Sequence, residues 1–224
     1  MLRLAIGTTV GAGLGWVAWL VSRRFVRRYR AVTEEDSAAP DPKLHSGPAG
    51  DSLRLAAVAT AGMAAWGGYA AVRADGLPQA VSAMVVAALL LAISLVDFQV
   101  RRIPDALVLA LLGWAVVQIA WIGTPSWTSS GLGLLVGGGI FLLLAFLTRW
   151  TMGMGDVKLM AAAGALVGYP LIFQAMFWGV VAGGVGALVL LLAGRVHRKD
   201  AIAYGPYLAL GTWLIAAKML GLWR

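Results

Sequence analysis

Leu89-Leu90-Leu91-Ala92-Ile93-Ser94-Leu95-Val96 runs without a charge and then stops at Asp97. The run closes a longer apolar stretch that begins near Ala80. A helix needs about 20 such residues to cross the hydrocarbon of a bilayer. A carboxylate at the edge of a membrane span is costly unless protein, water or a partner receives it. The stretch therefore predicts a membrane helix ending on an acid that needs a reason to be there.

The rest of the chain repeats the first half of that pattern. Of 224 residues, 60% are hydrophobic and only 12% charged, where a soluble domain carries about 25% charged residues. Mean hydropathy is +0.83. Further apolar spans fall at about Leu4–Val21, Leu53–Val72, Ala106–Ile122 and Gly131–Leu147. The stretch from Val157 to Ala193 is too long for one helix, and Gly168-Tyr169-Pro170 divides it, because proline restricts the residue before it. That gives a short sixth span and a longer seventh, with an eighth at about Gly205–Leu222. The expected fold is all-α, a polytopic transmembrane helical bundle of about eight spans. Residues 1–29 read as the first helix and its basic flank, 30–52 as a flexible cytoplasmic loop, and 53–224 as a membrane-embedded core. The first span reads as a retained helix, because Arg23, Arg24, Arg27, Arg28 and Arg30 follow its apolar run instead of preceding it.

Charge sets the expected orientation. Arginines follow the first span, Arg101 and Arg102 the third, Arg149 the fifth, and Arg195, Arg198 and Lys199 the seventh, while the alternate loops are nearly neutral. The positive-inside rule makes the basic loops cytoplasmic and places both termini outside. It also accounts for the net charge of +8, so no nucleic-acid partner is expected. Membrane lipid is the expected surrounding. The chain has no cysteine, which excludes disulfides, Cys-based zinc sites and thiol nucleophiles. His45 and His197 lie in separate polar loops, and neither a metal nor a cofactor is expected.

Most carboxylates read as solvated loop charges. Three do not: Asp97, Asp105 and Asp156. Asp105 follows Ile103-Pro104 and opens the fourth span, where an aspartate caps a helix and suits its positive end. Asp156 stands in Gly153-Met154-Gly155-Asp156 at the start of the sixth span, and taken alone it too reads as a cap. The conjunction carries more. The topology puts Asp97 and Asp156 on one membrane face, each at a helix end. Two carboxylates brought close cannot both ionise cheaply, so such a pair shares a proton. That is the equipment of an aspartic peptidase, in which one acid activates water and the other polarises the scissile carbonyl. The glycines beside Asp156 have no Cβ and are expected to let an extended substrate backbone approach. A transporter or channel using intramembrane carboxylates is the alternative; it calls for acids near mid-span and repeated broken helices.

Three stretches together resemble a known family, the type 4 prepilin peptidases, within the Gly-x-Gly-Asp membrane aspartic proteases. Asp97-Phe98-Gln99-Val100-Arg101-Arg102-Ile103-Pro104-Asp105 is similar to the family's first aspartate and its Ile-Pro-Asp stretch. Gly153-Met154-Gly155-Asp156-Val157-Lys158-Leu159 is similar to the second-aspartate motif. Tyr204-Gly205-Pro206-Tyr207-Leu208 resembles the Phe-Gly-Pro-Phe-Leu stretch that opens the last helix. The resemblance implies removal of the short basic leader from type IV prepilins or pseudopilins, at the cytoplasmic face of the inner membrane, with Asp97 and Asp156 as the catalytic pair. It implies supporting places for Pro104, Asp105, Gly153, Gly155, Lys158, Gly205 and Pro206. Lys158 suits either an electrostatic role at the site or a snorkelling anchor. Larger family members also carry N-methyltransferase activity, with a longer first cytoplasmic region and paired Cys-x-x-Cys motifs. Ser22–Ser52 is short and lacks cysteine, so a peptidase without methyl transfer is expected.

Overall fold

The computed structural model describes residues 1–36, 49–149, 153–193 and 203–223. These form eight helices: α1 (Leu2–Asp36), α2 (Ala49–Arg73), α3 (Leu77–Val100), α4 (Asp105–Ile122), α5 (Trp127–Leu147), α6 (Met154–Val167), α7 (Leu171–Leu192) and α8 (Gly205–Met219). No strand occurs among the described residues. The expected all-helical polytopic bundle is what forms.

Among the described residues, six helices are long and apolar enough to cross a membrane, over Leu2–Tyr29, Arg54–Arg73, Leu77–Val100, Asp105–Ile122, Trp127–Leu147 and Leu171–Val189. The expected bundle of about eight helices is present, and six of them meet this length on their own. Helices α6 and α8 have 14 and 15 residues, and at 1.5 Å per residue they reach only about 21–23 Å. The physical reason lies in what surrounds α6. Leu159, Met160, Ala163 and Leu166 are fully buried, and Val157, Ala162, Ala165 and Val167 nearly so. Its apolar residues meet protein on every side, so its hydropathy answers to packing and sets no lipid-crossing length. Outward-facing helices show the reverse, with Leu135 and Phe146 of α5 about two-thirds exposed at 67% and 66%. An apolar exterior of that kind suits lipid, because the helical backbone satisfies its own hydrogen bonds.

Small residues bring the helices close. On α1, Gly7, Gly11 and Gly15 lie against Gly67, Met63 and Ala59 of α2. On α5, a Cβ at Gly133 or at Gly164 of α6 would strike the other's backbone. Such small-residue seams are how helices pack where lipid removes the hydrophobic drive to associate. Polar groups in the interior are paired. Ser82 donates to Gln118 Oε1 at 2.6 Å, Trp114 donates to Ser82 at 3.1 Å, and the Gln118 amide donates to the Leu166 carbonyl at 3.2 Å. That network fastens α3 and α4 to the far end of α6.

Helix α1 continues through its arginines to Asp36, and α2 starts at Ala49. The polar segment expected as a loop over 30–52 is therefore helical at both ends, and 37–48 lie outside the described residues. His45, His197, Arg195, Arg198 and Lys199 also fall outside them.

The Gly133–Gly164 seam gives a test of packing. Gly164→Ala is expected to lower unfolding stability in detergent by about 1–3 kcal/mol, the usual cost of overpacking. Gly139→Ala, where a Cβ meets nothing, should be neutral or stabilise by up to about 1 kcal/mol from helix propensity.

Candidate active site

Asp97 occupies the last turn of α3 and is 5% exposed. The helix stops just beyond it at Arg101, a left-handed residue (φ 51°) whose N–H bonds back to the Asp97 carbonyl at 2.8 Å. A non-glycine residue in that conformation costs about 1–2 kcal/mol. The turn redirects the chain into Arg102-Ile103-Pro104, which leads straight into α4. The Asp97 carboxylate is held from the opposite side: the Gly205 N–H, first in α8, donates to Oδ2 at 3.0 Å. A helix N-terminus presents free N–H groups and the positive end of a dipole, so it is a suitable seat for a carboxylate. A Cβ on Gly205 would lie 2.7 Å from that oxygen. The glycine is there because the carboxylate is.

Asp156 enters from α6. The N-cap position of that helix is Gly153, with no side-chain capping bond, so the Asp156 carboxyl is not acting as the cap. It faces the same recess as Asp97. This recess has a volume of ≈ 730 Å³ and opens at the end of the bundle where α3 and α4 meet and α6 begins. Burial first, and the Asp97 charge second, push the Asp156 carboxyl from its ordinary value up to about 6. That influence is what two acids across one cavity produce.

Five other expected residues line this recess: Pro104, Asp105, Gly153, Gly155 and Lys158. Two expectations are corrected in detail. Asp105 does not cap α4; Pro104 holds that position. The Asp105 carboxylate instead accepts both of its bonds from Lys158 Nζ, at 2.8 and 2.9 Å. Lys158 is therefore paired rather than snorkelling alone. Gly155 does not leave space for a substrate backbone, because its Cβ direction is filled by Ile103, 2.9 Å away. The missing side chain lets the 101–104 turn pack on α6. A Cβ at Gly153 would stand 3.5 Å from the Asp156 carboxyl and 4.0 Å from the Gly155 nitrogen, both ordinary contacts. Pro206 lies in the first turn of α8 but faces away, toward a separate apolar groove.

Phe25, Arg28 and Tyr29 of α1 also line the recess, and sequence reasoning did not place them there. The Arg102 guanidinium sits 6.0 Å above the Tyr29 ring. The signal in the sequence was the unbroken helical run through the arginines, which carries α1 on to stand beside the turn after α3. Ile103 was likewise missed as the wedge between Gly155 and Gly205. Among the described residues, no group of three or more His, Cys, Asp or Glu is placed to hold a metal ion. The recess can thus present two carboxyls to a shared space at the rim of the bundle, which suffices for acid–base work on a polar bond.

Comparison with known proteins agrees with the motifs. Residues 84–188 match the type IV leader peptidase family. The chain is 33% identical over 138 residues to the prepilin leader peptidase/N-methyltransferase of Burkholderia pseudomallei (strain 1026b), covering 59% of this chain and 44% of that protein. It is 26% identical over 132 residues to the protein of that name in Bacillus subtilis (strain 168), covering 59% and 53%. For the Escherichia coli (strain K12) protein of that name it is 31% identical over 130 residues, covering 55% and 57%. The chain thus spans about half the length of the curated relatives it matches. No solved structure gives a significant match. The resemblance drawn from the three motifs is borne out.

The raised Asp156 carboxyl has a consequence for stability. A carboxyl whose folded value lies above its unfolded one favours the folded state while protonated, and that contribution is lost as pH rises through the folded value. For Asp156 the contribution is complete below about 3.8 and gone above about 6. Asp156→Asn should therefore melt higher than the wild type at pH 8 in detergent, with the difference vanishing near pH 4. Parallel melting curves at both pH values would contradict the assignment.

Proposed function

Because residues 84–188 match the type IV leader peptidase family, we propose that this protein is a membrane aspartic endopeptidase that removes the short basic leader from type IV prepilins or pseudopilins. Asp97 and Asp156 are its catalytic pair. The observation that carries the reading is that two carboxyls from separate helices face one recess, with the Asp97 oxygen held by the Gly205 amide.

The chemistry follows from one proton held between two acids. The ionised carboxylate takes a proton from a water molecule as its oxygen attacks the scissile carbonyl carbon. The protonated carboxyl donates to the carbonyl oxygen, giving a tetrahedral diol. Collapse of the diol breaks the C–N bond: one diol hydroxyl gives its proton to the ionised carboxylate as the carbonyl re-forms, and the protonated carboxyl passes its proton to the leaving nitrogen. The leader departs with a new carboxyl group and the remaining chain with a new amine. The pair again holds one proton. Neither acid needs to be assigned to one role, because a coupled pair titrates as a unit.

Surrounding residues have supporting parts in this scheme. The Gly205 amide fixes the Asp97 carboxylate, and Ile103 seats the turn that follows it. The Lys158–Asp105 pair ties α6 to the start of α4 at the rim. Both partners are well exposed, at 47% and 64%, so the bridge contributes only about 0–1 kcal/mol, and its value lies in register. Arg28, Arg101, Arg102 and Lys158 mark this end of the bundle as basic. That supports a site facing the cytoplasm from the inner membrane, with lipid around the remaining faces. We further infer peptidase action without methyl transfer, on the ground that the chain has no cysteine.

Co-expression with a prepilin, followed by gel separation of precursor and mature forms, tests the reading. The wild type should remove the leader. Asp97→Asn and Asp156→Asn should each lower the rate by at least about 10²-fold, the usual contribution of one general acid or base, at equal membrane abundance. Normal processing by either variant would show that the pair is misassigned.

A further inference from the structure

A second cavity lies beside the carboxylates on the lipid side. It is a groove of ≈ 390 Å³ walled by α2, α3 and α8. Leu55, Val58, Ala59, Gly62, Met63 and Trp66 form the α2 wall and recur at the spacing of one helical face. Its lining is almost wholly apolar. The polar lining groups Ser94 and Trp66 spend their donors on the Leu90 and Ala83 carbonyls, at 2.8 and 3.2 Å. The groove therefore recognises hydrocarbon and nothing charged. Its lips are bare, with Val58 71% and Leu210 43% exposed.

Three features fix its occupant. Leu90, Ser94 and Asp97 succeed one another at i, i+4 and i+7 on α3, so the wall of the groove runs directly to the carboxylate. Pro206 on the α8 wall follows Gly205, the residue that holds the Asp97 oxygen. Whatever lies along the groove thus meets the carboxylates at one end. The other end is stopped by Trp66 against Trp213, ring centroids 4.6 Å apart. Finally, the walls carry Ala59, Gly62, Ala87 and Ala209, and small residues of this sort let a helix backbone approach closely in lipid.

We propose that this groove seats the apolar helix of the protein substrate, so that the peptide bond just before that helix is delivered to Asp97 and Asp156. The inference rests on the proposed peptidase reading. Cleavage at the N-terminal end of an apolar segment then follows from geometry. The helix lies in hydrocarbon along α2, α3 and α8, its first residue reaches the bundle rim, and the polar leader beyond it enters the recess.

Gly62 makes the test clean, since a Cβ there meets nothing within 4 Å and a larger side chain occupies the groove without displacing the fold. With full-length protein in liposomes, the wild type should cut a whole prepilin with higher kcat/KM than a short peptide spanning the same bond but lacking the apolar helix. Gly62→Leu should lower kcat/KM for the whole prepilin by about tenfold or more, mainly through KM, and leave the short peptide unchanged. In a second arm, a photo-reactive residue replaces Gly62 in an Asp97→Asn background. It should cross-link to the apolar segment of bound prepilin, whereas the same residue at Leu135, on the outer face of α5, should not. Unchanged whole-prepilin cleavage by Gly62→Leu, or photoproducts of lipid alone from position 62, overturns the groove assignment and leaves the peptidase reading standing. A wild type that cuts no prepilin overturns the reading and the groove with it.

Discussion

A carboxylate placed at the end of an apolar bundle must be compensated by protein, because lipid offers it nothing. Asp97 meets that demand with a single amide, the Gly205 N–H, and almost complete burial. Much of the local architecture serves this contact. Helix α3 ends in a left-handed arginine instead of running on, the turn over 101–104 folds back, and α8 begins with a residue too small to push the carboxylate aside. Asp156 then faces the same space from α6. With two acids facing one recess, one of them almost fully buried, a retained proton is the cheapest state of the pair. The proposed hydrolytic chemistry grows from that shared proton.

The precision of the site comes from packing rather than from ion pairs. Helix α6 is enclosed by its neighbours, with glycine seams to α5 and the Gln118 network at its far end. An element buried on all sides has few alternative positions, since interiors are packed as tightly as crystals. The position of Asp156 in its first turn is thereby determined from below. At the rim, the exposed Lys158–Asp105 bridge adds registration between α4 and α6 but little energy. The glycines near both aspartates act in the same spirit. Gly155 admits Ile103 and Gly205 admits the Asp97 carboxylate, so both serve the protein's own contacts.

Much of this was legible in the sequence, and for identifiable reasons. Hydropathy marked every helix, and the alternation of basic and neutral loops put Asp97 and Asp156 at one end of the bundle. The lengths of α6 and α8 relative to a bilayer were not legible, because an alanine-rich stretch reads alike whether lipid or protein covers it. The extension of α1 to Asp36 was missed because charged residues were read as loop, although arginine and glutamate are good helix formers. The partner of Asp105 was hidden for a different reason. Capping is a local rule, whereas Lys158 lies in another helix, 53 positions away. Likewise nothing in the order of residues says that Ile103 fills the space beside Gly155.

The central claim is that the side chains of residues 97 and 156 meet across one recess. The natural absence of cysteine allows a direct measurement in the otherwise unaltered chain. The double variant D97C/D156C, treated in membranes with a short bifunctional thiol reagent and digested, should yield an intramolecular link between the two helices. The pair D97C/S126C, with its second position at the start of α5 on the opposite end of the bundle, should yield none. Efficient linking in the first and not in the second is the predicted result. Absence of a 97–156 link while both thiols remain reactive singly would contradict it.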